Sequence, residues 1–194
     1  MRLFVLTRHG HSTLNAEGRV NGDPSVPAPL TADGRAAAER LGHQLAPLTL
    51  ELCVHTRFPR TLETAEIALA GRSVRFLEEP LLDDIDVGEL EGATLGEYRA
   101  WKTAHAHSDP FPGGESLDDA ARRYARGLRR LLAREEAATL VVCHEIPVRY
   151  ALNAAAGSND LDLGLEHSIP NATPYLFDAS SLERAAKRIE ELVG

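Results

Sequence analysis

The feature that most constrains the fold is a short apolar run near the start of the chain that leads directly into polar side chains. Leu3-Phe4-Val5-Leu6 is continuously apolar, which is typical of a parallel strand buried on both faces of a sheet. The run Thr7-Arg8-His9-Gly10-His11-Ser12-Thr13-Leu14-Asn15 then brings a guanidinium, an imidazole, a glycine, a hydroxyl and an amide. Because ligands bind at the carboxyl ends of strands in an open α/β sheet, Arg8 and His9 are predicted to lie in a binding site. An imidazole can act as a nucleophile, an arginine can bind phosphate oxygens bidentately, and Gly10 permits close backbone approach to an anion.

Strand-like and helix-like segments alternate along the rest of the chain. The clearest helix is predicted over residues 116–134, where apolar side chains repeat at helical spacing, and another begins at the N-cap residue Thr31. The pattern predicts further strands at residues 50–54, 74–77, 140–143 and 175–177. It predicts further helices at residues 58–70, at 95–104, near Pro147, which fits a first helical turn, and at 181–192. We therefore expect an α/β fold, a three-layer sandwich with a mostly parallel central sheet flanked by helices. Residues 1–194 are interpreted as a single domain, with a small insertion over the site at about residues 79–114.

Composition restricts the partners that the chain can have. A net charge of −8 and a pI near 5.5 argue against nucleic acid or an anionic membrane as the main partner. The first apolar run is too short for a secretory signal, and no segment approaches the length of a membrane span, so a cytoplasmic location is expected. Cys53 and Cys143 each lie in an apolar run, which favours two buried reduced thiols over a disulfide or a metal pair.

Three further segments carry polar side chains where the predicted fold has loops. Residues 56–65 contain Arg60 and follow the second strand, and residues 83–92 form an acidic loop punctuated by glycines. Val141-Val142-Cys143-His144-Glu145 ends another buried strand with a histidine. Two histidines and two arginines at strand ends, together with a carboxylate loop, are the groups that metal-free phosphoryl transfer requires, since that reaction depends mainly on positioning and charge stabilisation.

In their order and spacing, these motifs resemble those of the histidine phosphatase superfamily, also called phosphoglycerate-mutase-like, over nearly the whole chain. An isolated Arg-His-Gly is a weak signal, but the complete series is a strong one. The matching segments are Arg8-His9-Gly10-x-Ser12-x-x-Asn15, Leu30-Thr31-Ala32-Asp33-Gly34, Arg60 with Thr64-Ala65, Asp86-Val87-Gly88-Glu89-Leu90-Glu91-Gly92, Pro112-Gly113-Gly114-Glu115-Ser116 and His144.

The resemblance implies a metal-independent phosphomonoesterase without a cofactor that hydrolyses small phosphorylated metabolites. His9 would be the nucleophile and form a phosphohistidine, while Arg8, Arg60 and His144 would surround the phosphoryl oxygens with Asn15 as a further donor. His9 must be neutral to attack, so its other ring nitrogen should donate to a backbone carbonyl. The helix that begins near Pro147 would direct its positive end at the phosphate.

The sequence departs from the family pattern at two positions. Asp84 stands where the commonest members carry a glutamate as general acid, so the acid is one methylene shorter, and Asp83 is the neighbouring candidate. Glu145 follows His144 where many relatives have glycine. A carboxylate is unfavourable beside a phosphate unless it points away or contacts a cationic or hydroxyl-bearing part of the substrate, and Glu145 is therefore assigned to the substrate-binding set.

Several alternatives stay open at this point. A cofactor-dependent phosphoglycerate mutase is disfavoured because only about twenty residues separate Gly92 from Pro112, whereas mutases of this family carry a longer insertion. A non-catalytic phosphate-binding module would have lost its nucleophile or arginines. The pairs His9 with His11 and His105 with His107 lack the additional ligands of a metal site.

Two further questions concern the insertion and the assembly. Trp101 and Phe111 are expected to pack the insertion, with contact to the leaving group as the alternative. A homodimer is the alternative to a monomer.

Overall fold

A computed structural model describes residues 2–164 and 166–194. Its strands are β1 (Leu3–Arg8), β2 (Leu52–His55), β3 (Arg75–Glu78), β4 (Ala138–Cys143) and β5 (Tyr175–Asp178). Its α-helices are α1 (Thr13–Ala16), α2 (Ala32–Leu45), α3 (Pro59–Ala68), α4 (Leu95–Ala104), α5 (Leu117–Leu132), α6 (Glu145–Ala155) and α7 (Ala179–Val193). Short 3-10 turns lie at Pro80–Leu82 and Gly88–Leu90. Among the helices of these described residues, none combines the length and the apolar character that crossing a membrane requires.

The strands form one five-stranded sheet in the order β3-β2-β4-β1-β5. The first four strands of this order run parallel to one another, and β5 pairs antiparallel with β1 at the edge. Because β1, β4 and β2 are parallel neighbours, their carboxyl ends lie side by side at one edge of the sheet. This arrangement confirms the predicted α/β class and its mostly parallel sheet.

Helices cover both faces of the sheet, and alternate side chains of β1 enter two separate cores. Phe4 and Leu6 belong to the core that α5, α6 and α7 cover. Val5 belongs to the opposite core, which α2 and α3 cover. None of these three side chains is more than 1% exposed. The result is the predicted three-layer sandwich.

Local signals explain where several helices begin and end. The Ser116 hydroxyl accepts from Asp119 N at 3.0 Å and Ser116 N donates to the Asp119 carboxylate at 3.4 Å, so α5 begins with a capping box. Thr31 caps α2 by accepting from Gly34 N at 3.1 Å, as predicted. Helix α3 ends at Ala68, two residues before the predicted end, and the chain then reverses at Gly71, whose φ is +75°.

Residues 79–114 divide into two parts that pack differently. Leu82, Ile85 and Val87 are buried in the same core as α5, so the first part belongs to the body of the domain. Helix α4, called the lid helix below, contains no buried residue. Trp101 of the lid helix contacts Phe111, with ring centroids 4.1 Å apart, and Phe111 is 1% exposed. The segment that lies over the cavity is therefore shorter than the predicted insertion, and both aromatic side chains pack it against the body.

Cys53 and Cys143 are buried and unbridged, as expected from their apolar surroundings. Burial raises the pKa of both thiols to about 12. Because the thiolate is the reactive form, neither cysteine is a candidate nucleophile.

Candidate active site

The polar residues predicted from sequence meet at the carboxyl edge of the sheet. Arg8 is the last residue of β1 and His9 follows it, His144 follows β4 as the N-cap of α6, and Arg60 lies in the first turn of α3 after β2. Arg8, His9, Arg60 and Asp84 line a cavity of about 650 Å³. His144 is fully buried directly behind Arg60 and Asp84.

Hydrogen bonds define the tautomer of His9. Its Nδ1 lies 2.7 Å from the Gly10 carbonyl oxygen, which can only accept, so Nδ1 carries the proton and Nε2 keeps its lone pair. Arg60 Nε donates to this Nε2 at 3.0 Å. Burial, reinforced by the positive charges of Arg60 and Arg8, holds the pKa of His9 well below its usual value. His9 is therefore a neutral imidazole with its nucleophilic nitrogen among cationic groups.

Arg60 lies at the centre of the site. Its Nη2 donates to Asp84 Oδ2 at 3.2 Å and to His144 Nδ1 at 3.2 Å, and its Nη1 donates to Asn21 Oδ1. The guanidinium carbon lies 4.3 Å from the centroid of the Phe58 ring. A side chain that is 4% exposed and fixed on so many sides is pre-organised for an anion, since little conformational entropy remains to be lost on binding.

His144 is fixed by a threonine that the sequence did not single out. Thr56 Oγ1 lies 2.9 Å from His144 Nε2. Because Arg60 donates to the other ring nitrogen, Nε2 carries the proton and donates to Thr56. Burial, together with the nearby charge of Arg60, lowers the pKa of His144 well below its usual value, so both site histidines are neutral.

The two neighbouring aspartates point in different directions. Asp84 lies in the cavity wall, with Oδ2 3.4 Å from His144 Nδ1. Asp83 turns to Arg57, accepting from its backbone N at 3.0 Å and from its Nε at 2.5 Å. Burial raises the pKa of Asp84 despite the opposing charge of Arg60. Burial raises the pKa of Asp83 as well, so the orientation distinguishes the two candidates, and Asp84 is the carboxyl group that faces the cavity.

Arg8 and Glu145 form an ion pair at the cavity wall. Arg8 Nη1 lies 2.7 Å from Glu145 Oε2 and donates to the Ile169 carbonyl oxygen at 3.0 Å. The second carboxylate oxygen of Glu145 accepts from Arg149 Nη1 at 3.1 Å. Helix α6 begins at Glu145, two residues before the predicted start near Pro147, because His144 itself is the N-cap.

Asn15 and Gly10 have structural contacts that the sequence analysis did not anticipate. Asn15 lines the cavity, but its Oδ1 accepts from Ser12 N at 3.2 Å in the capping box of α1. A Cβ atom at Gly10 would lie 2.6 Å from the carbonyl oxygen of Gly34. The glycine is thus required where the loop after β1 presses against the first turn of α2, whereas the sequence predicts that it permits the close approach of an anion.

Long-range polar contacts complete the site. Gly10 N donates to Thr64 Oγ1 at 2.8 Å, and Asn171 Nδ2 donates to the His9 carbonyl oxygen at 2.8 Å. The residues of these contacts, together with Asn21 and Thr56, come from four separate segments of the chain: residues 9–10, 21, 56–64 and 171. Thr64 lies in a motif that the sequence analysis quoted, but nothing local to Asn21, Thr56 or Asn171 indicates a contact with the site.

The remaining histidines considered for metal binding have different surroundings. His11 lines the cavity and its Nδ1 lies 3.4 Å from Thr31 Oγ1, whereas His105 stacks on Trp101 with ring centroids 4.1 Å apart. His107 is exposed. Within residues 2–164 and 166–194, no three His, Cys, Asp or Glu side chains are grouped so that they could hold a metal ion.

Comparison with family models decides the assignment. Residues 4–191 match the model of the histidine phosphatase superfamily (branch 1). The chain belongs to this superfamily. The match covers both strand-end histidines and the loop that carries Asp84, and it confirms the resemblance inferred from the motifs.

Relatives within the superfamily include both phosphatases and mutases. Rat 6-phosphofructo-2-kinase/fructose-2,6-bisphosphatase 4 is 31% identical over 189 residues, which cover 91% of this chain and 38% of the rat protein. The chain thus spans about two fifths of the length of that relative. The 2,3-bisphosphoglycerate-dependent phosphoglycerate mutase 2 of Gloeobacter violaceus is 32% identical over 136 residues, covering 65% of this chain and 61% of the mutase.

A solved structure shows the same fold. The alpha-ribazole phosphatase from Shigella flexneri superposes with a TM-score of 0.80 at 23% identity, over 91% of this chain and 90% of that protein. At this identity the likeness concerns the fold, so the substrate has to be argued from the cavity.

Proposed function

We propose that the protein is a metal-independent phosphomonoesterase that hydrolyses small phosphorylated metabolites through a phosphohistidine on His9. The observation that carries the proposal is the fixed tautomer of His9, which presents an unprotonated Nε2 to Arg60 at 3.0 Å in the wall of an open cavity. A phosphoryl group placed there would accept from Arg60 and Arg8, whose guanidinium groups suit its equatorial oxygens.

In the first step, His9 Nε2 attacks phosphorus and the bond from phosphorus to the leaving oxygen breaks. Asp84 donates its proton to that oxygen, so the alcohol departs neutral and Asp84 becomes a carboxylate. The buried position that raises the pKa of Asp84 favours its protonated form before this step. His144 Nδ1, 3.2 Å from Arg60 Nη2 and 3.4 Å from Asp84 Oδ2, holds both groups in place behind the phosphoryl group.

In the second step, water replaces the alcohol. The Asp84 carboxylate accepts a proton from the water as its oxygen attacks phosphorus, and the bond between His9 Nε2 and phosphorus breaks. Inorganic phosphate leaves, and both side chains return to their initial protonation states. Arg8 and Arg60 stabilise the charge on the phosphoryl oxygens in both steps without changing protonation.

The main competing activity is that of a phosphoglycerate mutase, because several relatives carry that name. A mutase returns the phosphoryl group to a second substrate, so it requires a bisphosphorylated primer and releases little phosphate. The segment between Gly92 and Pro112 is short, with Leu95–Ala104 as its helix, whereas mutases of this family carry a longer insertion. This difference favours hydrolysis.

The test is phosphate release from a panel of phosphomonoesters in chelator, with wild type and His9→Ala. We expect hydrolysis that chelator does not reduce and a loss of about 10⁴-fold or more in His9→Ala, as expected for removal of a nucleophile. His43→Ala, an exposed histidine of α2, is the matched control and should retain activity. Phosphate release that depends on added metal, or isomerisation without release, would contradict the proposal.

A further inference from the structure

A chain of alternating charges runs along one wall of the cavity, from Arg8 to the lid helix. Arg8 Nη1 lies 2.7 Å from Glu145 Oε2, and Glu145 Oε1 lies 3.1 Å from Arg149 Nη1. Arg149 Nη2 lies 2.5 Å from Asp162 Oδ1, and the other Asp162 oxygen pairs with Lys102. All five side chains also line the cavity. The chain therefore connects a predicted phosphate ligand with the segment above the leaving group.

Glu145 lies where its carboxylate can hold the Arg8 guanidinium in one orientation. One end of the Arg8 guanidinium is held on two sides, because Nη1 donates to the Ile169 carbonyl oxygen at 3.0 Å and pairs with Glu145. Glu145 is held in turn by Arg149, four residues later on α6, so helix geometry sets its side-chain direction. Arg149 is 8% exposed and also donates to the His167 carbonyl oxygen, so this anchor is nearly immobile.

We infer that Glu145 is a positioning residue that sets the orientation of Arg8 for the phosphoryl group. Each carboxylate oxygen of Glu145 lies beside a different arginine: Oε2 forms an ion pair with Arg8, and Oε1 accepts from Arg149. This is the arrangement of a bridge between two cations. This assignment differs from the direct substrate contact that the sequence predicts for Glu145. The inference rests on the proposed phosphoryl site, but its test uses an anion that binds without turnover.

Whether removal of the Glu145 carboxylate weakens or tightens anion binding distinguishes a positioning role from simple charge repulsion. A negative charge near an anion site weakens binding through Coulomb repulsion, so its removal alone would tighten binding. Loss of the bridge would instead leave Arg8 free to rotate and would weaken binding, since the side chain must then be ordered by the ligand. A residue that only supports the fold would change thermal stability and leave the affinity of the folded protein unaltered.

The experiment measures vanadate affinity by calorimetry for wild type, Glu145→Gln and Glu145→Ala. We expect Glu145→Ala to bind vanadate about tenfold more weakly than wild type, because residues in one contact network usually have interaction energies of that size. The affinity of Glu145→Gln should lie between those of Glu145→Ala and wild type. Glu183→Gln removes an exposed carboxylate that pairs with Arg129 and should bind as wild type does. Tighter or unchanged binding in Glu145→Ala would overturn the inference, whatever its thermal stability.

A double-mutant cycle with Arg8→Lys tests whether Glu145 acts through Arg8. Lysine keeps the charge, so binding stays measurable, but it lacks the planar fork that Glu145 orients. We expect Glu145→Ala to weaken binding less than about twofold in this background. The same tenfold loss in both backgrounds would show that Glu145 acts independently of Arg8 and would overturn the inference.

Steady-state kinetics provide a second readout. Because Arg8 is assigned to the phosphoryl group and not to the leaving group, Glu145→Ala should lower kcat/KM by the same factor for p-nitrophenyl phosphate and for an alkyl phosphate. A loss confined to one leaving group would mean that Glu145 contacts the substrate directly and would contradict positioning. Wild-type protein that binds neither vanadate nor phosphate would instead contradict the proposed function itself.

Discussion

The two ends of the cavity differ in how firmly the protein holds them. At the phosphate end, His9, Arg60 and His144 are 2%, 4% and 0% exposed and follow neighbouring strands of one sheet. At the other end, the lid helix has no buried residue and contacts the body through an aromatic stack and the ion pair of Lys102. A buried, multiply bonded cluster can hold the geometry of a transition state, whereas a surface helix can vary without disturbing the sheet. We therefore propose that the scaffold carries the chemistry and that the lid helix determines the choice of substrate.

The largest effect that tests this difference between the two ends of the cavity is expected at Asp84, which lies where the two ends meet. Asp84→Asn should lower turnover of an alkyl phosphate by about 10²–10⁴-fold, because an alkoxide leaves poorly without a proton. The phosphorylation step with p-nitrophenyl phosphate should suffer less, since nitrophenolate leaves unprotonated. Pre-steady-state bursts with both substrates measure the two effects separately.

Asp83→Asn is the matched control for Asp84. Its carboxylate binds Arg57 and faces away from the cluster, so we expect no selective loss with the alkyl phosphate. A selective loss in Asp83→Asn, or equal losses for both substrates in Asp84→Asn, would place the general acid elsewhere.

A weaker effect is expected from loosening the lid. Trp101→Ala removes the contact with Phe111 and should raise KM for alkyl phosphates by about three- to tenfold, given the usual strength of an aromatic pair. Vanadate affinity should stay within about twofold of wild type, because the stacking partners of Trp101 are Phe111 and His105 and the Lys102–Asp162 ion pair stays in place. A parallel loss of vanadate affinity would show that the two ends are not separable.

The smallest effect concerns the pH dependence of stability. His9 and His144 have pKa values held well below the usual value near 6.5 by burial, so below pH 6.5 the unfolded chain binds protons that the folded protein does not. The free energy of unfolding should therefore fall as the pH drops through 6.5, by about 1 kcal/mol per histidine at pH 5.5. Urea unfolding of wild type and His9→Gln at pH 7.5 and 5.5 checks the sign, since the variant should lose less stability on acidification. An equal or larger loss in the variant would mean that His9 is not buried as a neutral group.

The sequence alone predicts much of the phosphate end for a physical reason. Apolar runs identify the buried strands, and side chains directly after such strands must lie at the carboxyl edge, as Arg8, His9 and His144 do. Asp84 could be proposed only with Asp83 as its alternative, because sequence does not show which way a loop carboxylate turns.

Other parts of the site depend on contacts between distant segments. Thr56 reaches His144 across 88 positions and Asn171 reaches His9 across 162, and no local pattern signals either contact. Glu145 shows the same limit in its pair with Arg8, which depends on the relative placement of β1 and α6, whereas its pair with Arg149 is a local contact four residues along α6. The sequence predicts the lid helix at its observed bounds. It does not predict that the helix lacks buried residues, because amphipathic spacing does not show what a helix packs against.

The most direct test of the covalent mechanism is to trap the phosphorylated enzyme. Substrate labelled in its phosphoryl group should be mixed with wild type on a millisecond scale and stopped in alkaline denaturant, in which a phosphoramidate survives, before peptide mapping by mass spectrometry. The mechanism predicts label on the peptide that contains His9, a larger trapped fraction in Asp84→Asn with p-nitrophenyl phosphate because hydrolysis is slowed, and none in His9→Ala. Hydrolysis at the wild-type rate without label on His9, or label on another residue, would contradict the account.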